Sequence, residues 1–281
     1  NMKPKIGAHV SVAGGLEKGI ENALAIGAEC IQIFGASPRQ WAAKIPSQEE
    51  IARYRAAVQR SGIGPVFLHA AYLVNLASPD KGIYEKSVKN LAQHLRIAEA
   101  ISAEGLIFHV GAGKELPREK ATSQVAKGVQ EVLRQAPGKM QLIMENSATP
   151  KKLGDSPEEI GEIMAQVRSP RVKMCLDTAH ACGAGLLASF SKQEILKFVR
   201  GLDKSVGLEN LVAIHANDSK APSGSARDLH ENIGKGYIGK AGFRHLLAES
   251  KLRGKPWILE VPGFSGEGPD KKNVEMLKSL R

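Results

Sequence analysis

Eight short apolar runs, each followed by a stretch of helical periodicity, divide this chain from end to end. The runs are Ile6–Val10, Cys30–Phe34, Pro65–Ala70, Gly105–Val110, Gln141–Asn146, Val172–Asp177, Leu211–Asn217 and Pro256–Val261. The helical stretches are Leu16–Ile26, Gln48–Arg60, Tyr84–Ala103, Arg118–Gln135, Pro157–Val167, Lys192–Leu202, Gly242–Ser250 and Lys272–Leu280. The runs are aliphatic and β-branched on successive positions, as in parallel strands covered on both faces. Strict strand–helix alternation requires right-handed crossovers and a parallel sheet. Eight such units in 281 residues match the α/β class and a closed (β/α)8 barrel, expected as a single domain over residues 2–281. A doubly wound open sheet would bring functional groups only to a switch point between strands.

The ends of the runs carry the chemistry. Five of the eight histidines, with two Asp and two Glu, stand at or just beyond them. They are His69, His109, Glu145, Asp177, His180, His215 and Glu260, with Asp228 and His230 in the loop after the His215 run. One such group alone would say little, since a strand-end His is commonly just hydrogen-bonded. A buried carboxylate is costly unless it is paired or metal-bound. Nine of these groups, delivered by strands three to eight, surround most of a ring and favour the barrel over the open sheet. The set predicts a multinuclear metal centre. Nitrogen and carboxylate donors suit zinc, and manganese or iron accept the same ligands.

The remaining polar signals are weaker. His9 ends the first run and is expected to touch a ligand or substrate rather than to bind metal. His94 and His245 fall in helical stretches and are expected on the surface. Cys30 and Cys175 lie inside apolar runs and read as small buried hydrophobes. Cys182 follows His180 by two residues, but the donor set is oxygen and nitrogen. Three cysteines without CxxC spacing indicate neither a disulfide framework nor a zinc ribbon. Gly14-Gly15 and Gly111-Ala112-Gly113 lack the spacing of nucleotide-binding loops, and no GxSxG nucleophile motif occurs. The segment 218–237 is the longest irregular stretch and carries Asp228 and His230, so it reads as a loop of the site.

Apolar content of 42% is that of a globular protein. The apolar runs are of strand length, too short for a membrane span. Met2-Lys3-Pro4-Lys5 leads straight into a strand without a signal-peptide core, so a cytoplasmic protein is expected. The net charge of +10 is compatible with a polyanionic partner and with a generically basic enzyme alike. The basic residues are dispersed, which argues against a disordered nucleic-acid-binding tail.

At this point the chain resembles the endonuclease IV family of apurinic/apyrimidinic endonucleases over nearly its whole length. The resemblance rests on Ile6-Gly7-Ala8-His9-Val10-Ser11, Gly14-Gly15, Arg39-Gln40-Trp41, His69-Ala70-Ala71-Tyr72-Leu73-Val74-Asn75-Leu76 and Glu145-Asn146. It continues in Asp177-Thr178-Ala179-His180, His215-Ala216-Asn217-Asp218-Ser219-Lys220, Asp228-Leu229-His230 and Ile233-Gly234-Lys235-Gly236. It implies a TIM barrel holding three zinc ions. His69, His109 and Glu145 would hold the first. Glu145 would bridge to a second, completed by Asp177, His215 and Glu260, and His180, Asp228 and His230 would hold the third. Glu145 and Glu260 are thereby implied to be catalytic as well as ligating.

The implied activity is DNA repair by hydrolysis of the phosphodiester 5′ to an abasic site, leaving a 3′-hydroxyl and a 5′-deoxyribose phosphate. No protein nucleophile is needed when metals supply the hydroxide. The implied partner is double-stranded DNA with abasic sites or 3′-blocked ends, met by a monomer without a membrane. Arg39, Tyr72 and Leu73 would enter the duplex at the lesion, where a missing base resists least. Lys220 would contact phosphate. Three departures from the family pattern fall in loops: Val110-Gly111-Ala112-Gly113, Asn146-Ser147-Ala148-Thr149-Pro150-Lys151, and Leu229 with Lys235. The competing reading is a metal-dependent sugar isomerase or epimerase on a similar barrel, for which fewer ligands and a closed polar pocket suffice.

Overall fold

The computed structural model describes residues 3–281; Asn1 and Met2, where the expected domain begins, lie outside the described residues. Eight parallel strands close a barrel. They are β1 (Ile6–His9), β2 (Ile31–Phe34), β3 (Val66–His69), β4 (Gly105–His109), β5 (Gln141–Glu145), β6 (Val172–Asp177), β7 (Leu211–His215) and, after a short hairpin of β8 (Asp218–Ser219) and β9 (His230–Glu231), β10 (Trp257–Leu259). Around the barrel each strand pairs with its neighbours in chain order, and β1 closes the ring against β10. The ladders end at the site residues themselves, which is why several strands stop one or two residues before the apolar runs do.

The helices outside are α1 (Leu16–Ile26), α2 (Gln48–Ser61), α3 (Lys81–Ala100), α4 (Arg118–Gln135), α5 (Pro157–Val167), α6 (Thr178–Gly183), α7 (Lys192–Ser205), α8 (Gly239–Ala248), α9 (Ser250–Arg253) and α10 (Lys271–Ser279). Their starts follow from capping chemistry. Ser47, Asp80, Ser156, Ser191 and Asp270 each accept a backbone N–H of the first turn, satisfying donors that have no partner within the helix. Pro157 follows its cap at the first helical position, where its missing N–H costs nothing. Among the described residues no helix is long and apolar enough to cross a membrane.

Inside the barrel the side chains stack in layers. Cys30, Phe67, Ile107, Ile143, Cys175, Ala213 and Ile258 form one apolar layer, separate from the larger core between strands and helices. The remaining strand, β1, supplies Gly7, where a Cβ would collide with the Cys30 carbonyl. Residues two apart point to the same face of a strand. The next layer toward the strand ends is therefore His9, Gln32, His69, His109, Glu145, Asp177, His215 and Glu260, each two positions after a member of the layer beneath or after Gly7. The apolar layer closes the barrel below, so these polar groups can face only one another and the open end.

Candidate metal centre

Three groups of donors converge on that end. In each, one atom per residue lies within 4.8 Å of the others: His69, His109 and Glu145; Glu145, Asp177, His215 and Glu260; and Asp177, His180 and His230. Glu145 belongs to two groups through different oxygens. Its Oε2 is 3.2 Å from His69 Nε2 and 3.1 Å from His109 Nε2, while its Oε1 is 3.3 Å from His215 Nδ1. His215 Nδ1 is also 3.2 Å from Glu260 Oε2. In the third group Asp177 Oδ2 lies 3.5 Å from His230 Nε2. Asp228 reaches in from the rim, its Oδ1 2.9 Å from His180 Nε2 and 3.5 Å from His230 Nε2. All nine residues singled out in the sequence thus come together. Asp177 stands nearer the third group than the family pattern alone suggests.

The rear nitrogen of most imidazoles is fixed. His69 Nδ1 donates to the Ala70 carbonyl at 2.9 Å, His180 Nδ1 to the Asn146 carbonyl at 2.7 Å, and His230 Nδ1 to the Glu260 carbonyl at 3.2 Å. In the neutral ring that metal binding requires, a nitrogen that donates behind the ring leaves the other one as a lone pair facing forward. The carboxylates are fixed as well. Asp177 Oδ1 accepts the His180 backbone N–H and Oδ2 the Asn217 amide, while the Asn146 side chain binds the Asp177 backbone N–H.

Charge is balanced within the cluster. Burial would raise the Glu145 carboxyl, but the His109 and His215 charges and the hydrogen bonds of His109 and His180 outweigh it and hold it well below its ordinary value. Burial would lower His180, yet Asp177 and the Asp228 hydrogen bond carry it well above 6.5. Burial would likewise raise Glu260, which His215 draws down to about 2. Glu145 and Glu260 are therefore ionised at neutral pH, the form that ligates a cation.

The donors fit metal ions better than they fit one another. Glu145 Oε1, His215 Nδ1 and His230 Nε2 are buried without any hydrogen bond, and leaving such an atom unpaired costs roughly 1–3 kcal/mol. Apart from Asp177 Oδ2, 3.8 Å from His215 Nδ1, the nitrogen–oxygen separations in the first two groups are 3.1–3.3 Å and exceed the ~2.7–2.9 Å of charged hydrogen bonds. They match the edge of a tetrahedron with bonds of about 2.0–2.1 Å, roughly 3.3–3.4 Å.

Comparison with known proteins agrees with this geometry. The family described as xylose isomerase-like TIM barrel matches residues 20–280. A relative from Aquifex aeolicus named probable endonuclease 4 is 37% identical over 276 residues, 98% of this chain and 96% of its own length. A second of that name from Halothermothrix orenii is 33% identical over 279 residues, 99% of each. The crystal structure of endonuclease IV from Thermus thermophilus superposes with a TM-score of 0.86 at 32% identity, covering 99% of this chain and 98% of that one. The chain belongs to the endonuclease IV family. A D-tagatose 3-epimerase-like protein superposes with a TM-score of 0.69 at 19% identity over 98% of this chain and 96% of its own; that likeness is one of fold.

The residues that the endonuclease IV resemblance implies for DNA contact lie exposed in loops. Tyr72 is 63% exposed and Leu73 37%, large apolar side chains left in solvent just after His69. The Tyr72 ring stands edge-on to Phe34 at 5.4 Å, and its backbone N–H donates to the Pro38 carbonyl at 3.1 Å. That bond ties its loop to the one carrying Arg39, which is exposed. Lys220 is exposed beyond the hairpin, its backbone N–H on the Leu229 carbonyl at 3.0 Å.

The loops that depart from the endonuclease IV pattern are tied down by Asn75, Arg118 and Asp218, none of which the sequence pattern marks for such a role. Asn75 Oδ1 accepts the Ala112 N–H at 3.1 Å and Asn75 Nδ2 donates to the Ala112 carbonyl at 3.0 Å, pinning 110–113. Arg118 donates to the Pro150 and Lys152 carbonyls at 2.7 and 3.2 Å and to Asp155 and Glu159 at 2.6 Å, pinning 149–155. The segment 218–237 folds as the hairpin and a turn wrapped round buried Asp218, whose carboxylate accepts backbone N–H groups of Gly234, Gly236, Ile238 and Gly239. Leu229 and Lys235 lie on it.

Two expectations need correction. His94 is buried, 1% exposed, with Nδ1 donating to the Asn90 carbonyl at 2.9 Å. It packs under Gly35, whose missing side chain leaves room for the ring. His245 is half-buried and donates from Nδ1 to the Phe190 carbonyl. Cys30 and Cys175 are buried as expected, and Cys182 is buried with its Sγ 3.8 Å from the Ala221 carbonyl.

Proposed function

We propose that this chain is a metal-dependent AP endonuclease, cutting DNA 5′ to an abasic site to leave a 3′-hydroxyl and a 5′-deoxyribose phosphate. The observation that carries the reading is the set of overlapping donor groups joined at Glu145, with buried Glu145 Oε1, His215 Nδ1 and His230 Nε2 left unpaired. Full-length likeness to endonuclease IV supports it. The ions are assigned as three zinc. His69, His109 and Glu145 hold the first, Glu145, Asp177, His215 and Glu260 the second, and His180, Asp228 and His230 the third, with Asp177 close by. When bound, such ions neutralise phosphate charge and lower the pKa of water.

The chain's own residues position the substrate. Glu145 sets the spacing of two groups by the width of one carboxylate, and Glu260 closes the second from the β10 side. Arg39, Tyr72 and Leu73 project from linked loops beside this cluster, where Tyr72 and Leu73 can fill the gap left by a missing base and open the stack there. Lys220 stands beyond the hairpin, free to meet a phosphate. A strand bent over this face brings its backbone to the donors without a closed pocket, unlike a sugar, which needs enclosure.

The test is incubation with a duplex carrying one abasic analogue and with the intact duplex. Cleavage confined to the abasic strand, with a 3′-hydroxyl product, is the expected outcome; no cleavage of the abasic duplex by zinc-loaded protein contradicts the reading.

A further inference from the structure

Two members of the polar layer, His9 and Gln32, are not among the ligands, and Gln32 cannot carry a charge. Gln32, on β2, is fully buried. Its flanking residues Ile31 and Ile33 turn outward into the core under the helices, while Gln32 follows Cys30 by two positions and faces the barrel interior. There its amide meets three site residues from three other strands. Gln32 Nε2 is 2.7 Å from Glu260 Oε1 and 3.0 Å from His9 Nδ1, and Gln32 Oε1 is 2.7 Å from His215 Nε2.

The chemistry of the partners fixes which way round the amide sits. An ionised carboxylate only accepts hydrogen bonds. The amide nitrogen must therefore face Glu260, since the reverse would set two acceptors 2.7 Å apart. The amide oxygen then faces His215 Nε2, which must carry the proton and donate. In the neutral ring that metal binding requires, His215 Nδ1 is then the lone pair, and it is the atom that lies unpaired amid Glu145, Asp177 and Glu260. The other imidazoles with a fixed rear nitrogen, His69, His180 and His230, use backbone carbonyls, which no side-chain substitution removes. His215 depends on a side chain. The same amide holds one oxygen of Glu260, and the Asn217 amide holds the other at 3.3 Å.

We infer that Gln32 is a positioning residue of the metal centre. It selects the nitrogen that His215 presents and sets the angle of Glu260, so that two of the four donors around the second site are aimed by one amide. The inference rests on the reading of this cluster as a metal site. It gives β2, which supplies no ligand, a part in metal binding, and it links His9 of β1 to the centre through the same side chain.

The test uses the whole chain loaded with zinc. Gln32→Leu keeps the volume and removes both hydrogen-bonding functions. Gln32→Glu keeps an acceptor for His215 and removes the donor to Glu260. Chelator competition on wild type and Gln32→Leu should show one ion per chain released at roughly 10–100-fold lower chelator strength in the variant, the usual cost of losing an outer partner, with the other ions held as before. In proton NMR, the hydrogen-bonded Nε2–H of His215 should be present in wild type, lost in Gln32→Leu and restored in Gln32→Glu. A structural role alone would lower the melting temperature without this selective loss or rescue. A folded Gln32→Leu that holds all its ions as tightly as wild type overturns the inference. Should that variant fail to fold, absence of the His215 Nε2–H from folded Gln32→Glu overturns it instead. Wild type that binds no zinc refutes the metal-site reading itself.

Discussion

Glu145 Oε1 lies 3.3 Å from His215 Nδ1, and both atoms are buried without a hydrogen bond. The other oxygen of the same carboxylate faces His69 and His109. Glu145 thus joins the first two donor groups through its two oxygens, as Asp177 joins the second and third. Glu145→Gln replaces one of those oxygens with an NH2 that donates and cannot ligate. The variant should remain folded, lose bound metal and lose incision by more than about 100-fold, beyond the loss typical of an outer partner. Metal content and single-turnover nicking are the measurements, and near-normal turnover in pure protein would count against the bridge.

Tyr72 and Leu73 separate recognition from metal binding. They are exposed and carry no donor of the three groups. Replacing both with Ala should leave zinc content and thermal stability nearly unchanged. Binding to abasic duplex should weaken by roughly 1–3 kcal/mol, the worth of stacking on one base, and preference over intact duplex should fall with it. Titration of both duplexes checks this; an unchanged preference would leave the two side chains as loop packing.

The barrel and the clustering of the nine donor residues were legible because both follow from where burial stops. The apolar runs ending in His69, His109, Glu145 and Glu260 showed the strands and their functional ends together, and the bounds of α1, α4 and α5 fall where their periodicity placed them. Gln32 was not legible as an isolated residue, because one amide in Cys30–Phe34 reads as a tolerated polar side chain. A rule could have found it. It follows the inward Cys30 by two residues just as His69 follows Phe67 and His215 follows Ala213. Short α6 was missed because Asp177 ends a strand and caps a helix at once, its Oδ1 accepting the His180 N–H, so no loop separates the two patterns. The hairpin depends on pairing Asp218 with Glu231, a distant register that local pattern does not encode.

Arg118 should be worth about 1–3 kcal/mol of stability, the range for removing hydrogen bonds to charged and buried groups. It satisfies two loop carbonyls and the largely buried carboxylate of Glu159. Arg118→Ala should lower the urea midpoint by a corresponding amount and speed amide exchange in residues 149–155, while Tyr72 and Leu73 are undisturbed. Unchanged exchange there would mean that the loop holds itself.

Association with DNA should depend steeply on salt. The chain carries a net charge of +10, with Arg39 and Lys220 exposed beside the site. The logarithm of affinity should fall with the logarithm of salt at a slope near roughly −0.9 per phosphate neutralised, so several contacts give a slope several times that. A flat response would point to a small neutral substrate.

The three donor groups are proposed to hold metal on which incision depends. The most direct measurement is metal content of the purified chain, followed through chelation together with nicking of an abasic duplex. About three zinc ions per chain are expected, one for each donor group, with incision lost as they are removed and restored when zinc is returned. A chain that binds no more than one ion, or that nicks the duplex equally well after all metal is stripped, would contradict this assignment.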